Sequence, residues 1–213
     1  MSQGPAPVAF VVDADISVRQ SLKVLIRSAG WQAESFASAR EFLARARTSV
    51  PSCLILDAFL PDMSGLELQE RITAERSGMP MIFLSGRCDI QTTVKAMKAG
   101  AMEFLTKPVD QEMLLNAIGQ AIKRSEAVLG RENEMQALRS NYGSLTSRER
   151  EVMTLVASGL LNKQVGGELG ISEITVKAHR GNVMRKMRAD SFADLVTMAL
   201  RLRVARPLAA FAA

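Results

Sequence analysis

The sequence predicts an α/β doubly wound five-stranded parallel sheet, followed by an all-α domain of four helices containing a helix-turn-helix. Three observations carry this. Five short apolar runs alternate with stretches whose apolar residues recur at helical spacing, the pattern of a parallel sheet with crossover helices. Beyond Ser144 the strand pattern stops, and short helices follow one another with capping residues in front and glycines behind. The charge divides near the same point. Residues 1–140 hold 16 Lys+Arg and 16 Asp+Glu, whereas residues 141–213 hold 11 and 6, so the net +5 lies in the last third. A neutral front and a basic tail suit a controlling domain joined to one that meets a polyanion, nucleic acid above all.

Taken in order, Val8 to Val12 is a continuous apolar run ending at Asp13, a first strand. Ile16 to Ala29 places Val18, Leu22, Leu25 and Ile26 at helical spacing and stops at Gly30. Trp31 to Phe36 is a weaker second strand, Ala39 to Ala46 a helix, and Cys53 to Asp57 the third strand. Ser64 and Glu67 form a capping-box pair at the head of a helix through Leu66, Leu68 and Ile72. Met79 to Leu84 is a fourth strand ending at Ser85-Gly86, and Asp89 caps a helix through Val94 and Met97 that Gly100 closes. Ala101 to Leu105 is the fifth strand, and Asp110 opens a helix through Leu114, Leu115, Ile118 and Ile122. The expected domains are 1–124 for the sheet, 125–143 for a helix-prone linker, and 144–213 for the helical domain. The linker has apolar points at Val128, Leu129, Met135 and Leu138, and Gly130 weakens it as a helix by ~1 kcal/mol relative to Ala.

A chain of 213 residues, 47% hydrophobic, is long enough for two small domains that each bury a core. It has no run of about 18 apolar residues, and Met1 to Pro5 has no basic region followed by an apolar stretch. Neither a membrane span nor a secretory leader is expected. Cys53 and Cys88 read as reduced thiols of a cytoplasmic protein rather than as a disulfide or a metal site.

The strand ends carry the chemistry. Asp13 ends the first strand, Asp57 the third and Ser85 the fourth, and Lys107 follows the fifth. Right-handed crossovers bring these ends to one edge of the sheet, where open α/β sheets place their ligands. Two carboxylates, a hydroxyl and an ammonium there suit metal-assisted transfer of a phosphoryl group onto a carboxylate oxygen. The cations neutralise the phosphoryl oxygens, and the hydroxyl hydrogen-bonds one of them.

On Val11-Val12-Asp13, Leu56-Asp57, Leu60-Pro61-Asp62-Met63-Ser64-Gly65, Leu84-Ser85-Gly86, Ala96-Met97-Lys98-Ala99-Gly100-Ala101 and Lys107-Pro108, residues 6–124 resemble the flavodoxin-like receiver domain of bacterial two-component response regulators. The resemblance implies that Asp57 accepts a phosphoryl group from a sensor histidine kinase and that Ser85 and Lys107 sense it. It implies that Phe104 is an aromatic switch on the fifth strand and that the Lys107–Pro108 bond is cis. One position departs from the family, which usually sets two acidic residues side by side after the first strand; here the second is Ala14, followed by Asp15. The magnesium ligands that remain are Asp13, Asp57 and the backbone carbonyl of Phe59, so Mg2+ binding is expected to survive in weakened form with more water in the shell.

Two alternatives follow from this region. Ala14 favours a degenerate receiver that acts without phosphorylation. Asp13-Ala14-Asp15 is also similar to the first motif of haloacid-dehalogenase-type phosphatases, which would make Asp13 the nucleophile of an enzyme but leaves Asp57 and its loop unexplained. On the main reading the protein is not an enzyme, beyond self-phosphotransfer and autodephosphorylation.

In the last part, Thr146 and Glu149 form a capping box for a helix through Val152, Leu155 and Val156, closed by Gly159. Asn162 caps a second helix, Lys163 to Leu169, closed by Gly170. Ser172 with Thr175 opens a third, to Met187, with Ile174, Val183, Met184 and Met187 as its apolar face and Lys177, Arg180 and Lys186 opposite. Ser191 caps a fourth, through Leu195, Val196 and Leu200. The second and third helices, joined by Gly170-Ile171, form the helix-turn-helix.

Leu145-Thr146-Ser147-Arg148-Glu149-Arg150-Glu151-Val152, Leu169-Gly170-Ile171-Ser172-Glu173 and Thr175-Val176-Lys177-Ala178-His179-Arg180 resemble the LuxR-type DNA-binding domain. Ser147 stands where Pro is usual, and Gly166-Gly167 weakens the second helix by ~1–2 kcal/mol. Receiver, linker and LuxR-type domain in this order are those of the FixJ/NarL class of regulators. The resemblance implies double-stranded DNA as partner, met by Thr175, Lys177, Ala178, His179, Arg180 and Lys186. Lys177 is expected at base edges, Arg180 and Lys186 at phosphates. It also implies homodimers on phosphorylation, through the faces of the fourth and fifth helices, and RNA polymerase as a further partner; no membrane is involved.

Overall fold

The computed structural model describes residues 6–76, 78–86 and 90–205. The chain divides into two compact units, Met1–Arg131 and Glu132–Ala213. In the first, β1 (Val8–Val12), β2 (Gln32–Phe36), β3 (Ser52–Asp57), β4 (Met81–Ser85) and β5 (Glu103–Thr106) form one parallel sheet in the order β2-β1-β3-β4-β5. Between them run α1 (Ile16–Ser28), α2 (Ala39–Ala44), α3 (Gly65–Glu75) and α4 (Ile90–Lys98), and α5 (Gln111–Gly143) follows β5.

The central strands are apolar on both faces because helices cover both. On one face Phe10, Leu54, Leu56 and Phe83 pack with Phe42 of α2, Leu68 and Ile72 of α3 and Ala96 of α4. On the other, Val11, Ile55, Ile82 and Leu84 pack with Leu22 and Ile26 of α1 and Leu114 and Ile118 of α5. The first face is closed at its edge by Phe10, Phe36 and Phe42, whose ring centroids lie 5.3–6.2 Å apart. Register sets the strand ends level: Val12 pairs with Leu56, Asp57 with Leu84, and Ser85 with Thr106.

Several boundaries differ from those the pattern predicts, each for a local reason. α2 ends at Ala44 because Arg45 turns extended and its guanidinium pairs with Glu34 at 2.6 Å. β4 starts at Met81, after Pro80, which has no N–H for the ladder. β5 starts at Glu103, not Ala101, because Ala101 N–H still donates to the Ala96 carbonyl and closes α4 over Gly100, whose φ is +94°. The capping box of Ser64 and Glu67 forms in full. The predicted cap Asp89 and the thiol of Cys88 lie outside the described residues. Cys53 is buried, and burial pushes its thiol up to about 12, which leaves it unreactive at neutral pH.

Residues 125–143 are the second half of α5. Three of their four apolar points, Val128, Met135 and Leu138, pack within the units. Val128 lies where a Cβ on Gly78 would meet its Cγ1 at 2.7 Å, and Met135 and Leu138 belong to the core of the second unit.

The second unit adds α6 (Ser147–Ala157), α7 (Asn162–Leu169), α8 (Glu173–Met187) and α9 (Phe192–Leu202). Val152 and Val156 of α6, Val165 of α7, Val176, Val183 and Met187 of α8, and Leu195 and Ala199 of α9 make its core. Three expectations are corrected here. Asn162 is not the cap of α7. That position is Leu161, whose N–H donates to Gln164 Oε1 at 2.8 Å, while the Asn162 side chain accepts from Arg180 at 3.3 Å. Ile174 is not on the apolar face of α8 but 80% exposed, and Leu200 of α9 is 62% exposed.

The adjacent glycines of α7 serve different ends. A Cβ on Gly166 would stand 2.7 Å from the Ile171 carbonyl oxygen, which is backbone of the tight turn into α8, whereas a Cβ on Gly167 meets nothing within 4 Å. Gly166→Ala is therefore expected to destabilise the unit by about 1–3 kcal/mol through forced separation of α7 from the turn. Gly167→Ala should stabilise it by up to ~1 kcal/mol through helix propensity. Thermal melts of the two single variants check this; equal shifts of the same sign would remove the close-approach argument.

Candidate functional site

At the carboxyl edge of the sheet, Asp13, Ala14, Asp15, Asp57, Phe59, Gly86 and Lys107 line an open cleft of about 410 Å³. The sequence places Asp57 there because β3 is apolar until its last residue, and the chain then turns sharply away. A Cβ on Gly65 would stand 2.6 Å from the Asp57 carbonyl oxygen and 2.9 Å from Ala58 Cα, so only glycine lets α3 begin this close to the strand end. Gly65 N–H donates to the Ala58 carbonyl at 3.0 Å, and Phe59 N–H donates to Asp57 Oδ1 at 2.9 Å. The carboxylate is thus oriented by its own loop.

Lys107 bridges the two acids. Its Nζ lies 2.5 Å from Asp13 Oδ2 and 2.6 Å from Asp57 Oδ2. Burial pushes the ammonium's pKa down, but the hydrogen bonds to Asp13 and Asp57 outweigh it and hold the group above the ordinary lysine value, so it is a permanent cation at neutral pH. The Lys107–Pro108 peptide is cis. Ser85 is fully buried at the end of β4, and its carbonyl accepts from Lys107 N–H at 2.8 Å. Phe104 pairs in register with Phe83 and stacks on it, the ring centroids 5.8 Å apart and the planes 10° from parallel. Phe83 in turn sits 3.1 Å from where a Gly65 Cβ would be, so one ring separates Phe104 from the Asp57 loop.

Asp15 follows the strand rather than extending it. Its Oδ1 caps α1 by accepting from Ser17 N–H at 2.7 Å, and its own N–H donates to Asp13 Oδ1 at 2.9 Å. Two features here lie beyond sequence patterning. Arg19 donates from one guanidinium nitrogen to the carbonyls of Asp13 and Ala14, at 2.7 and 2.8 Å, and so clamps the β1–α1 loop. Asp62 accepts from the N–H groups of Ala39 and Arg40, which ties the loop after β3 to the start of α2. Only contacts across 20 or more residues reveal the second; the first has no sequence signal beyond a basic residue in the first turn of α1.

For a divalent cation, the donor set is two carboxylates, Asp13 and Asp57, with the backbone of Phe59 folded over Asp57. Among the described residues no group of three or more His, Cys, Asp or Glu side chains gathers. The set fits a hard oxygen-seeking ion whose shell is completed by water and the incoming group, and does not fit a closed protein cage.

In the second unit, Ser172 caps α8 by accepting from Thr175 N–H at 3.1 Å. Lys177 stands 63% exposed, in a long i,i+4 pair with Glu173 at 3.4 Å. Arg180 is held over the Phe192 ring at 4.3 Å, with Asn162 as its hydrogen-bond partner. Lys186 turns away from the exposed face to pair with buried Glu149 at 2.6 Å. Thr175 and Ala178 are exposed, and His179 is half-buried.

The strand-end constellation and the helix-turn-helix define a class: a receiver joined to a DNA-binding domain. The family model described as "Response regulator receiver domain" matches residues 9–119, and that described as "Bacterial regulatory proteins, luxR family" matches residues 143–199. The chain belongs to the response regulators with a LuxR-type helix-turn-helix. It is 46% identical over 197 residues to Nodulation protein W of Bradyrhizobium diazoefficiens, covering 92% of this chain and 87% of that protein. It is 36% identical to the transcriptional regulatory protein FixJ of the same organism, over 90% of this chain and 94% of that one. Among solved structures, the response regulator StyR matches with a TM-score of 0.83 at 47% identity, over 92% of this chain and all of that one. Among the described residues no helix is long and apolar enough to cross a membrane.

Proposed function

We propose that this response regulator is a cytoplasmic transcription regulator switched by phosphorylation of Asp57. The observation that carries the reading is the Lys107 ammonium set between Asp13 and Asp57 at the sheet edge, on the same chain as a helix-turn-helix. A carboxylate oxygen of Asp57 forms the new P–O bond as the P–N bond to a phosphohistidine of the sensor histidine kinase breaks. Lys107 neutralises phosphoryl charge, and the Ser85 hydroxyl donates to a phosphoryl oxygen. Mg2+, held by Asp13, Asp57 and the Phe59 carbonyl, would supply the remaining positive charge. The protein turns over no other substrate.

Phosphorylation shifts an equilibrium between two receiver states, with Phe104 the side chain that moves. The favoured state forms a homodimer. Ile90, Val94 and Met97 support this, as an i, i+4, i+7 stripe on α4 with exposures of 77, 44 and 42%. The dimer presents two α8 helices to double-stranded DNA and meets RNA polymerase there. Intact mass after incubation with a small-molecule phosphodonor and magnesium tests the switch; an unmodified protein would favour a receiver that acts without phosphorylation.

Two further results are expected. Ala14→Asp should tighten magnesium binding and speed phosphorylation, because a direct carboxylate ligand returns to the cleft; unchanged affinity in a metal titration would mean that water already fills that position. Lys177→Ala should cost ~1–3 kcal/mol on the preferred duplex and relax its sequence preference, since exposed Lys177 can donate to guanine O6 and N7. Titrations on preferred and scrambled duplexes decide this; equal losses on both would take Lys177 out of base reading.

A further inference from the structure

We propose that Ile174 reads the C5-methyl group of a thymine in the major groove, so that the recognition site carries an A·T pair opposite the first turn of α8. This deepens the DNA-binding reading above and rests on it. At about 100° per residue, Val176, Val183 and Met187 lie about 180–220° round the helix from Ile174. Those three are fully buried, whereas Ile174 is 80% exposed. It therefore points straight away from the core of its own unit.

The face that Ile174 heads is shaped for close approach. Ala178 lies about 40° and Gly181 about 20° from it on the helix. Both are exposed, and a Cβ on Gly181 would meet nothing within 4 Å. Two small residues behind one branched apolar residue leave a low surface, with exposed Lys177 about 60° to one side and exposed Arg185 about three turns farther along the same face, both charge-matched to phosphate or guanine.

Local folding does not account for an isoleucine here. Its branched side chain lowers helix propensity, and at 80% exposure it adds little to the core of the unit. On the major-groove edge of B-DNA the thymine methyl is the apolar group, and apolar side chains contact it. The first turn of the second helix of a helix-turn-helix is where base edges are met.

The test uses the full-length protein and a duplex selected from a randomised pool at fixed salt. Each thymine of that duplex is replaced singly by deoxyuridine, which removes only the methyl. Wild type should bind about three- to tenfold more weakly at one thymine per half-site, as expected for losing one buried methyl contact. Ile174→Ala should bind the thymine and uracil duplexes equally at that position, and Ile174→Val should keep part of the difference. Because Ile174 is exposed, melting of Ile174→Ala serves as the control and should not fall below wild type. Indifference of the wild type to every uracil, or an undiminished methyl effect in Ile174→Ala, overturns the role of Ile174 while leaving DNA binding intact. Failure to enrich any duplex overturns the DNA-binding reading, and this inference with it.

Discussion

Asp57→Asn should abolish the phosphoryl adduct that the wild-type protein acquires from a small-molecule phosphodonor and magnesium. The change is close to isosteric, and it removes the charge and the nucleophilic carboxylate oxygen together. Phe59 N–H can still donate to the amide oxygen in place of Oδ1, and Lys107, which loses its acceptor at residue 57, keeps its 2.5 Å partner in Asp13. The loop after β3 therefore holds its shape, and Gly65 still seats α3 against the Asp57 carbonyl. Intact mass separates this outcome from its rival. An adduct that persists in Asp57→Asn and vanishes in Asp13→Asn would make Asp13 the nucleophile and reopen the phosphatase-like alternative. Geometry favours Asp57: the Asp13 side chain is 3% exposed and that of Asp57 is 13%, so Asp57 is the more open to an incoming phosphoryl group.

The placement of Asp13, Asp57, Ser85 and Lys107 at one sheet edge was legible in the sequence because each closes or directly follows a predicted strand, and parallel register then brings those ends level. The capping boxes at Ser64 and Thr146 were legible because both partners lie within one turn. On α8 the expected apolar face holds at Val183, Met184 and Met187 and fails at Ile174. Ile174 and Val183 are nine residues apart, which resembles helical spacing but is two and a half turns, so they stand on opposite sides of α8. Val176, an apolar residue in a basic stretch, shares the true seam with Val183 and Met187. The clamp of Arg19, the seat of Arg180 on Phe192 and the pairing of Lys186 depend on folded contacts that no local pattern encodes. A basic residue on a helix looks the same in sequence whether it faces DNA or a buried acid.

Lys186 illustrates the difference, and its replacement has the second large expected effect. Its ammonium lies 2.6 Å from Glu149 Oε2, 37 residues away, with the glutamate side chain 5% exposed. The same Oε2 accepts from Thr146 N–H at 2.8 Å, so one oxygen closes the cap of α6 and the tie to α8. The hydrogen bond from Lys186, and then those from Thr146, hold the Glu149 carboxyl below the ordinary value against the opposing effect of burial. A carboxyl whose folded pKa is depressed contributes stability above its unfolded value, near 4.3, and loses it as pH falls through the folded value. Lys186→Met removes the largest cause of that depression and leaves a buried carboxylate with the cap alone. It should lower stability at neutral pH by about 1.5–3 kcal/mol, on the order of 10 °C in the melting of the second unit, and flatten the loss of stability below pH 4.5. The salt slope of DNA binding should stay at the wild-type value once the folded fraction is matched. Unchanged melting with a salt slope lower by ~1 would instead return Lys186 to the phosphate-contacting role its position on a basic helix suggests.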